Sequence, residues 1–347
     1  MSWRANRSNP VPHLGSRIAS PRGRALRNDA WGHVLAVTLA MLLATSSSTF
    51  AADKLRAGKA VEISLPLAIL DLGAHQGIFA TYGIDLDITN FTGDVKLQQA
   101  FAANAVDVGL GGGPAMAFEV KGSQAITVAA FAGPPGTIAV ATLPDSPIRT
   151  VADLKGKTLA VAASGSLTEW LVKRLSVHQG WGPDGIKTVA LGAGAAMNGA
   201  LFTHQVDAMM TGTENVYILA DKGQARLVAG AETFVPDFIA HVVFARRDLV
   251  ASNPDLIERF LKGFFASIRF AKANKAAATA FLGPLLNESP PVIDKVYDHE
   301  TAILLDDGRF DPKAMAILEN SFIDMGILDS KPSDDQLFTT RFVPVKP

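Results

Sequence analysis

The chain is 347 residues long, 48% hydrophobic and 19% charged, with 32 basic residues, 33 acidic residues and no cysteine. This length exceeds one ordinary hydrophobic core and predicts about two domains, while the composition is that of a packed globular protein. The lack of cysteine excludes disulfides, thiolate metal sites and a thiol nucleophile.

The first 51 residues are of a different kind. Arg4, Arg7, Arg17, Arg22, Arg24 and Arg27 accompany a single acid, Asp29. An apolar run over 31–44 follows, and then the small-residue stretch Thr45-Ser46-Ser47-Ser48-Thr49-Phe50-Ala51-Ala52. Basic, apolar, small is the order of a secretory signal peptide, with cleavage expected after Ala51. The run falls short of the roughly 20 residues a spanning helix needs. No arginine pair precedes it and no cysteine follows it, which disfavours the twin-arginine route and excludes a lipid anchor. Removing this segment takes away six basic residues and one acid, leaving 26 basic against 32 acidic residues and a net charge of −6. Nucleic acid is not an expected partner for such a surface.

Beyond residue 60, short apolar runs alternate with amphipathic segments, as in an α/β protein. Strands are expected over 61–65, ending at Pro66, and over 84–88. Asp71 is the expected N-cap of a helix running to Phe79, and Gly93-Asp94 opens another. Strands follow over 125–131 and 137–142, separated by Gly133-Pro134-Pro135-Gly136. The break Leu143-Pro144-Asp145-Ser146-Pro147 marks a crossing between domains. Past it, strands are expected over 158–162, 187–191, 226–229 and 238–245, the last as the return crossing. Ser166 and Glu169 have capping-box spacing ahead of a helix. From Asn253-Pro254 the pattern is helical, with further helices over 290–305 and 312–325. Lobe 1 is thus expected to hold 52–144 and 242–347, and lobe 2 to hold 145–241.

One unit occurs twice. Val106-Asp107-Val108-Gly109 leads to Gly111-Gly112-Gly113-Pro114 and closes at Lys121-Gly122; Val206-Asp207-Ala208 leads to Thr211-Gly212-Thr213-Glu214-Asn215 and closes at Lys222-Gly223. Each copy reads as a strand, a loop and a helix start, which presents backbone N–H groups to a polar ligand. Two equivalent loops at strand ends imply one crevice between two lobes. Ser164, Gly165 and Ser166 could donate to an anion or could simply cap their helix. His241 lies on the expected return strand, where it could face the cleft, and Glu214 would favour a ligand amine or hydroxyls over an anion.

Other motifs fall away. Gly192-Ala193-Gly194-Ala195-Ala196-Met197 imitates a dinucleotide fingerprint but puts Met197 in the place of its third glycine, and His299-Glu300 lacks a second histidine for a zincin motif. The histidines show no ligand spacing, so neither a metal nor a cofactor is expected.

The runs Leu72-Gly73-Ala74-His75-Gln76-Gly77-Ile78-Phe79 and Tyr82-Gly83-Ile84-Asp85-Leu86 carry a resemblance, together with Val106-Asp107-Val108-Gly109, Asp153-Leu154-Lys155-Gly156-Lys157, Gly165-Ser166 and Val206-Asp207-Ala208. In that order and spacing they resemble the substrate-binding proteins of ABC importers for nitrate, taurine, aliphatic sulfonates and thiamine pyrimidine precursors. The resemblance implies a two-lobed type II periplasmic-binding fold with a helical C-terminal extension of lobe 1. It implies a monomeric periplasmic receptor, not an enzyme, that serves a membrane permease and its ATPase. The implied pocket draws on Pro66 and Leu67, on Gly112, Gly113 and Pro114, on Ser164, Gly165 and Ser166, and on Thr211, Thr213, Glu214 and Asn215. Pro135, in the loop ahead of the strand over 137–142, and His241, on the expected return strand, join it. Where sulfonate-type members carry an aromatic residue followed by Asp-Pro, this chain has Gly212-Thr213-Glu214-Asn215, which leaves an uncharged or amine-bearing ligand open. An enzyme resembling the thiamine-pyrimidine synthases and a periplasmic sensor or accessory subunit are the alternatives on the same fold.

Overall fold

The computed structural model describes residues 52–62 and 64–346; the expected leader over 1–51 lies outside the described residues. Ten strands, numbered in chain order, form two sheets of five. The first contains β1 (Asp53–Lys59), β2 (Ile84–Asn90), β3 (Val108–Gly112), β4 (Ala125–Ala132) and β10 (His241–Arg246), in the order β2-β1-β3-β10-β4. The second contains β5 (Ile138–Thr142), β6 (Thr158–Val161), β7 (Lys187–Ala190), β8 (Ala208–Gly212) and β9 (Arg226–Gly230), in the order β7-β6-β8-β5-β9. In each sheet three parallel strands are followed by one antiparallel strand and its edge partner. The sheets therefore share one plan, and the chain passes between them twice, at 133–137 and at 231–240.

Three expectations change. Residues 61 and 62 are outside any strand and Leu65 opens a helix; the first strand is β1, which starts at Asp53, already paired with Ile84. Its charges disguise it. Arg56 is matched by Asp107 and the buried Lys59 by Asp71, so a polar-looking segment sits inside a sheet. Asp71 accordingly lies within α1 (Leu65–His75) as the partner of Lys59 at 2.5 Å, not at an N-cap. The strand expected over 137–142 is β5, hydrogen-bonded to β8 and β9 in the second sheet, whereas the sequence pattern assigns it to lobe 1. The first passage is therefore the Gly133–Gly136 loop. The proline break at 143–147 only turns the chain from β5 towards Thr150, where Thr150 and Asp153 form a capping box.

Helices fill the layers around the sheets: α2 (Asp94–Ala102), α3 (Leu167–His178), α4 (Ala195–Phe202), α5 (Thr213–Asp221), α6 (Pro254–Ala273), α7 (Lys275–Leu285), α8 (Pro290–Glu300) and α9 (Pro312–Asp324). The longest, α6, starts as its sequence dictates. Pro254 occupies the first turn, and Asn253 accepts a bond from the Leu256 amide at 3.3 Å. It buries Ile257, Phe260, Leu261, Phe264, Phe265 and Ile268. Phe264 meets Phe131 of β4 edge-on at 5.1 Å, and Phe260 stacks on Phe79 at 5.7 Å. Each such side chain contributes roughly 1.5–3 kcal/mol through burial, and together they anchor the C-terminal helices to the first sheet. The β4 edge is covered as well: Ala132 bridges Leu304 and Thr127 bridges Phe338, which removes an open strand edge. Among the described residues no helix is long and apolar enough to cross a membrane.

Candidate ligand cleft

The repeated Val-Asp pair has a structural role in both lobes. The Asp107 carboxylate accepts the Arg56 amide of β1 at 3.0 Å, while the Asp107 amide donates to the Arg56 carbonyl at 2.8 Å. In the second copy the Asp207 carboxylate accepts the Thr158 amide of β6 at 2.8 Å, and its own amide donates to the Thr158 carbonyl at 2.9 Å. Each aspartate thus ties the loop before a strand to the neighbouring parallel strand. Three residues earlier, Asn104 and His204 both take left-handed backbone, with φ of 54° and 57°.

The loops that follow occupy equivalent places. The Gly113 amide donates to the Ala240 carbonyl at 2.8 Å, and the Thr213 amide donates to the Thr137 carbonyl at 3.0 Å, so each loop is fastened to one of the two passages between lobes. In lobe 1 the backbone donors are used within the protein. The Gly112 amide bonds Asp94 Oδ1 at 2.9 Å, and a Cβ on Gly113 would lie 1.9 Å from the Ile239 carbonyl oxygen. Burial raises the Asp94 carboxyl to about 6, with the Gly112 amide pulling the other way. Pro114 stands second in the short 3₁₀ helix Gly113–Met116. Glycine is required here because backbone packs on backbone.

In lobe 2 the same positions carry side chains. The buried Thr213 hydroxyl donates to Glu300 Oε1 at the end of α8, and Glu214 follows in the first turn of α5. Pro66 and Leu67 lie buried in the first turn of α1, and the Leu65 amide of that turn faces the Glu214 carboxylate. Three elements therefore converge: α1 from lobe 1, α5 from lobe 2, and α8, which packs on both. Glu214 is half-buried as a residue, yet its Oε1 is enclosed and has no hydrogen-bond partner; Glu300 is fully buried, and its Oε2 is likewise unpartnered. Burial pushes the Glu214 carboxyl up to about 7, against the Leu65 amide and its own amide, with the Glu288 charge adding to the rise. Burial and the Glu214 charge hold Glu300 well above the usual carboxylate range. Glu288 is raised to about 7 by burial, with Lys222 opposing. The Tyr217 phenol is raised by burial and by Glu300 and Glu232. His299 borders the same region, its Nε2 lying 2.8 Å from the Gly136 carbonyl and 3.9 Å from Glu232, with its ring edge-on to Tyr217 at 6.1 Å.

The remaining expected residues are more scattered. Ser166 caps α3: its hydroxyl donates to the Ala163 carbonyl at 2.6 Å and accepts the Glu169 amide at 3.4 Å. Glu169 returns to the Gly165 amide at 2.7 Å, so the box closes one residue early. Ser164 and Gly165 are exposed, and Gly165 faces the Met325 carbonyl just after α9. Beside them the Trp170 indole donates to Asp324 at 3.0 Å, a contact between α3 and α9. Asn215 turns into its own lobe, exchanging amide bonds of 3.1 and 2.9 Å with Asn198 and donating to the buried Thr211 hydroxyl at 3.3 Å. Pro135 is buried in the first passage. His241 opens β10 stacked on Phe131 at 5.6 Å; burial lowers it to about 4, so its ring is neutral. The Gly111 backbone lies beside the ring, yet both ring nitrogens lack a hydrogen-bond partner.

Glu300, Glu288, Glu232, Tyr217 and His299 are not among the residues the sequence assigns to the cleft. Glu300 does carry a signal. Val292, Val296 and Glu300 share one face of α8, as do Ile293 and Tyr297, and all five are buried. An acid that continues an apolar stripe marks a burial that needs a purpose. Among the described residues no three His, Asp or Glu side chains are placed to hold a metal ion.

Residues 68–278 match the family model described as "NMT1/THI5 like", and the chain belongs to that family. A Brucella abortus protein named as a binding protein is 23% identical over 212 residues, which are 60% of this chain. The chain spans 64% of that relative's length. The periplasmic aliphatic sulphonate binding protein SsuA of Escherichia coli superposes with a TM-score of 0.70 at 20% identity, over 82% of this chain and 92% of its own. DszB, in a cysteine-to-serine mutant holding biphenyl-2-sulfinic acid, superposes with a TM-score of 0.64 at 18% identity, over 84% of this chain and 97% of its own. The fold is thus the two-lobed α/β fold of periplasmic binding proteins.

Proposed function

We propose that this member of the NMT1/THI5-like family is a solute receptor of an ABC importer, which closes two lobes on a small polar molecule and delivers it to a membrane permease and its ATPase. The observation that carries this reading is the meeting of α1, α5 and α8, where groups from both lobes enclose polar atoms with unused bonding capacity. Buried polar groups are normally satisfied, so unpaired ones in an interlobe cleft suit a ligand that completes them. The names of the Brucella relative and of SsuA point to binding as well. Function follows from differential affinity for the closed arrangement; no bond is made or broken. The leader read over 1–51 would send the protein to the periplasm, and one chain supplies the whole cleft, which suits a monomer. Within this reading Thr213 and Glu214 form the floor, the first turn of α1 (Pro66, Leu67) the opposite wall, and Ser164, Gly165 and Ser166 the rim towards α9. Gly112, Gly113, Pro114, Pro135, Thr211, Asn215 and His241 support the walls from behind.

DszB has the same fold and is a desulfurization enzyme. The mutant named above replaces a cysteine, and this chain has no cysteine with which to attempt thiol chemistry. The receptor reading is tested by thermal denaturation of the mature protein against a panel of sulfonates, nitrate, amines and heterocycles. A true solute at 100 times its Kd should add about 2.7 kcal/mol of stability. Turnover of a panel compound, with no stabilisation by any, would refute it.

A further inference from the structure

We infer that the solute held between the lobes is an organic cation, an ammonium or amidinium, gripped by the Glu214 and Glu300 carboxyls. This rests on the receptor reading and names its ligand class. A helix N-terminus ordinarily favours an anion, and here two of them, at Leu65 and Thr213, open onto the cleft. Both are already served by the chain itself: the Leu65 amide faces the Glu214 carboxylate, and the Thr213 amide bonds the Thr137 carbonyl. An anionic solute would have to displace Glu214 and then stand beside Glu300.

Nothing in the surroundings corrects that sign. Among the described residues no Lys or Arg side chain forms an ion pair with Glu214 or Glu300; Glu288 and Glu232 stand near, and Lys222 opposes only Glu288. The fully buried Glu300 keeps Oε2 unpartnered, although its other oxygen takes the Thr213 hydroxyl, and Glu214 keeps Oε1 unpartnered beside the Leu65 amide. Two enclosed acceptor atoms are therefore left without a donor, and the donors of an ammonium or amidinium group match them. Tyr217 adds an aromatic ring beside the acids, a surface that attracts cations. A bare metal ion does not fit, because among the described residues no three ligand side chains converge.

The acids also determine what leaves when the cation enters. Burial raises Glu214 and Glu288 to about 7 and holds Glu300 well above the usual carboxylate range, so near neutral pH the group of acids retains protons. An entering cation favours the ionised carboxylates and expels a proton. Binding therefore tightens as pH rises from about 5.5 to about 8. The groups that shape this response are Glu214 and Tyr217 on α5, Glu300 and His299 on α8, Glu288 ahead of α8, Glu232 in the second passage, and Lys222 beyond α5.

Isothermal titration calorimetry of the mature protein decides the matter, using ethylammonium, agmatine and benzamidine against ethanesulfonate and nitrate, each in two buffers of different ionisation enthalpy. A cationic probe is expected to bind at least tenfold more tightly at pH 8 than at pH 5.5, with net proton release. Glu214→Gln should weaken it at least tenfold and reduce the proton release, and Glu300→Gln provides a second variant should the first fail to fold. Tight binding of ethanesulfonate or nitrate, with no cation bound, overturns the cation assignment and leaves the receptor reading intact. A cation that binds equally to wild type and both folded variants overturns it too. If no solute of any class binds, both readings fall.

Discussion

The two lobes repeat one plan and diverge at two adjacent residues. Both sheets have the same strand order, both use an aspartate to tie a loop to the neighbouring strand, and both fasten the following loop to a passage between lobes. After that point lobe 1 places Gly113 and Pro114 where lobe 2 places Thr213 and Glu214. The first pair lets backbone lie on backbone; the second brings a hydroxyl and a carboxyl to the buried Glu300. A scaffold that occurs twice can thus pack backbone closely in one copy and carry buried polar side chains in the other. The triple glycine, the most conspicuous motif of the pair in the sequence, is where the backbone packing is tightest.

The largest break in this comparison comes from giving lobe 1 the side chain of lobe 2. Gly113→Thr would place a Cβ 1.9 Å from the Ile239 carbonyl oxygen, an atom of the backbone that cannot swing aside. A cost of about 3 kcal/mol or more is expected in stability measured by urea unfolding, at the upper end of overpacking effects. Gly112→Ala is the control, since its Cβ meets Asp94 Oδ2 at 3.1 Å, the end of a side chain that can give way. A Gly113→Thr protein as stable as the Gly112→Ala protein would mean that the two loops are interchangeable.

How much of this is legible in the sequence follows from where each signal lies. Local signals read directly: Asn253-Pro254 starts its helix, and Ser166 caps its own. Neutralisation between distant residues does not. Lys59 and Arg56 make β1 look unlike a strand, because their partners Asp71 and Asp107 are 12 and 51 residues away. Nor does a strand announce its sheet, and the proline break after β5 draws the expected crossing away from the shorter Gly133–Gly136 loop. In the cleft, Glu214 can be singled out because its loop repeats that of Gly113. Glu300 cannot be placed beside it, since it reaches Thr213 across 87 residues.

The paired aspartates should respond unequally. Asp107 is largely enclosed, bonded to the Arg56 amide and guanidinium, and 3.0 Å from Arg246; Asp207 is 41% exposed, with Lys157 no nearer than 4.0 Å. Asp107→Asn is expected to cost about 2–3 kcal/mol and Asp207→Asn about 1 kcal/mol or less, as befits a charge-assisted network against an exposed tie. Burial alone would raise Asp107, but the Arg56 and Arg246 bonds outweigh it and hold the carboxyl below its usual value. A lowered folded pKa gives stability that is present above the unfolded value, near about 3.9, and lost as pH falls through the folded one. The difference between wild type and Asp107→Asn should therefore shrink on acidification, measured as urea midpoints from about pH 6 down to about pH 2.5. A gap that widens would show that Asp107 is not held by its arginines.

The smallest effect probes the second copy from within. Thr213→Val keeps the shape of the side chain and removes the hydroxyl that donates to Glu300 Oε1. Losing one hydrogen bond to a buried group costs about 1 kcal/mol, far less than the Gly113 change at the equivalent place. The more telling readout is Glu300 itself. The Thr213 hydroxyl is the contact that favours its charged form, while burial, Glu214 and Glu288 all oppose it. Without the hydroxyl, the Glu300 carboxyl resonance should titrate at still higher pH, and a bound cation should become weaker near neutral pH, where the carboxylate is harder to form. An unmoved titration would show that the hydroxyl only fills space, and the two copies would then differ in Glu214 alone.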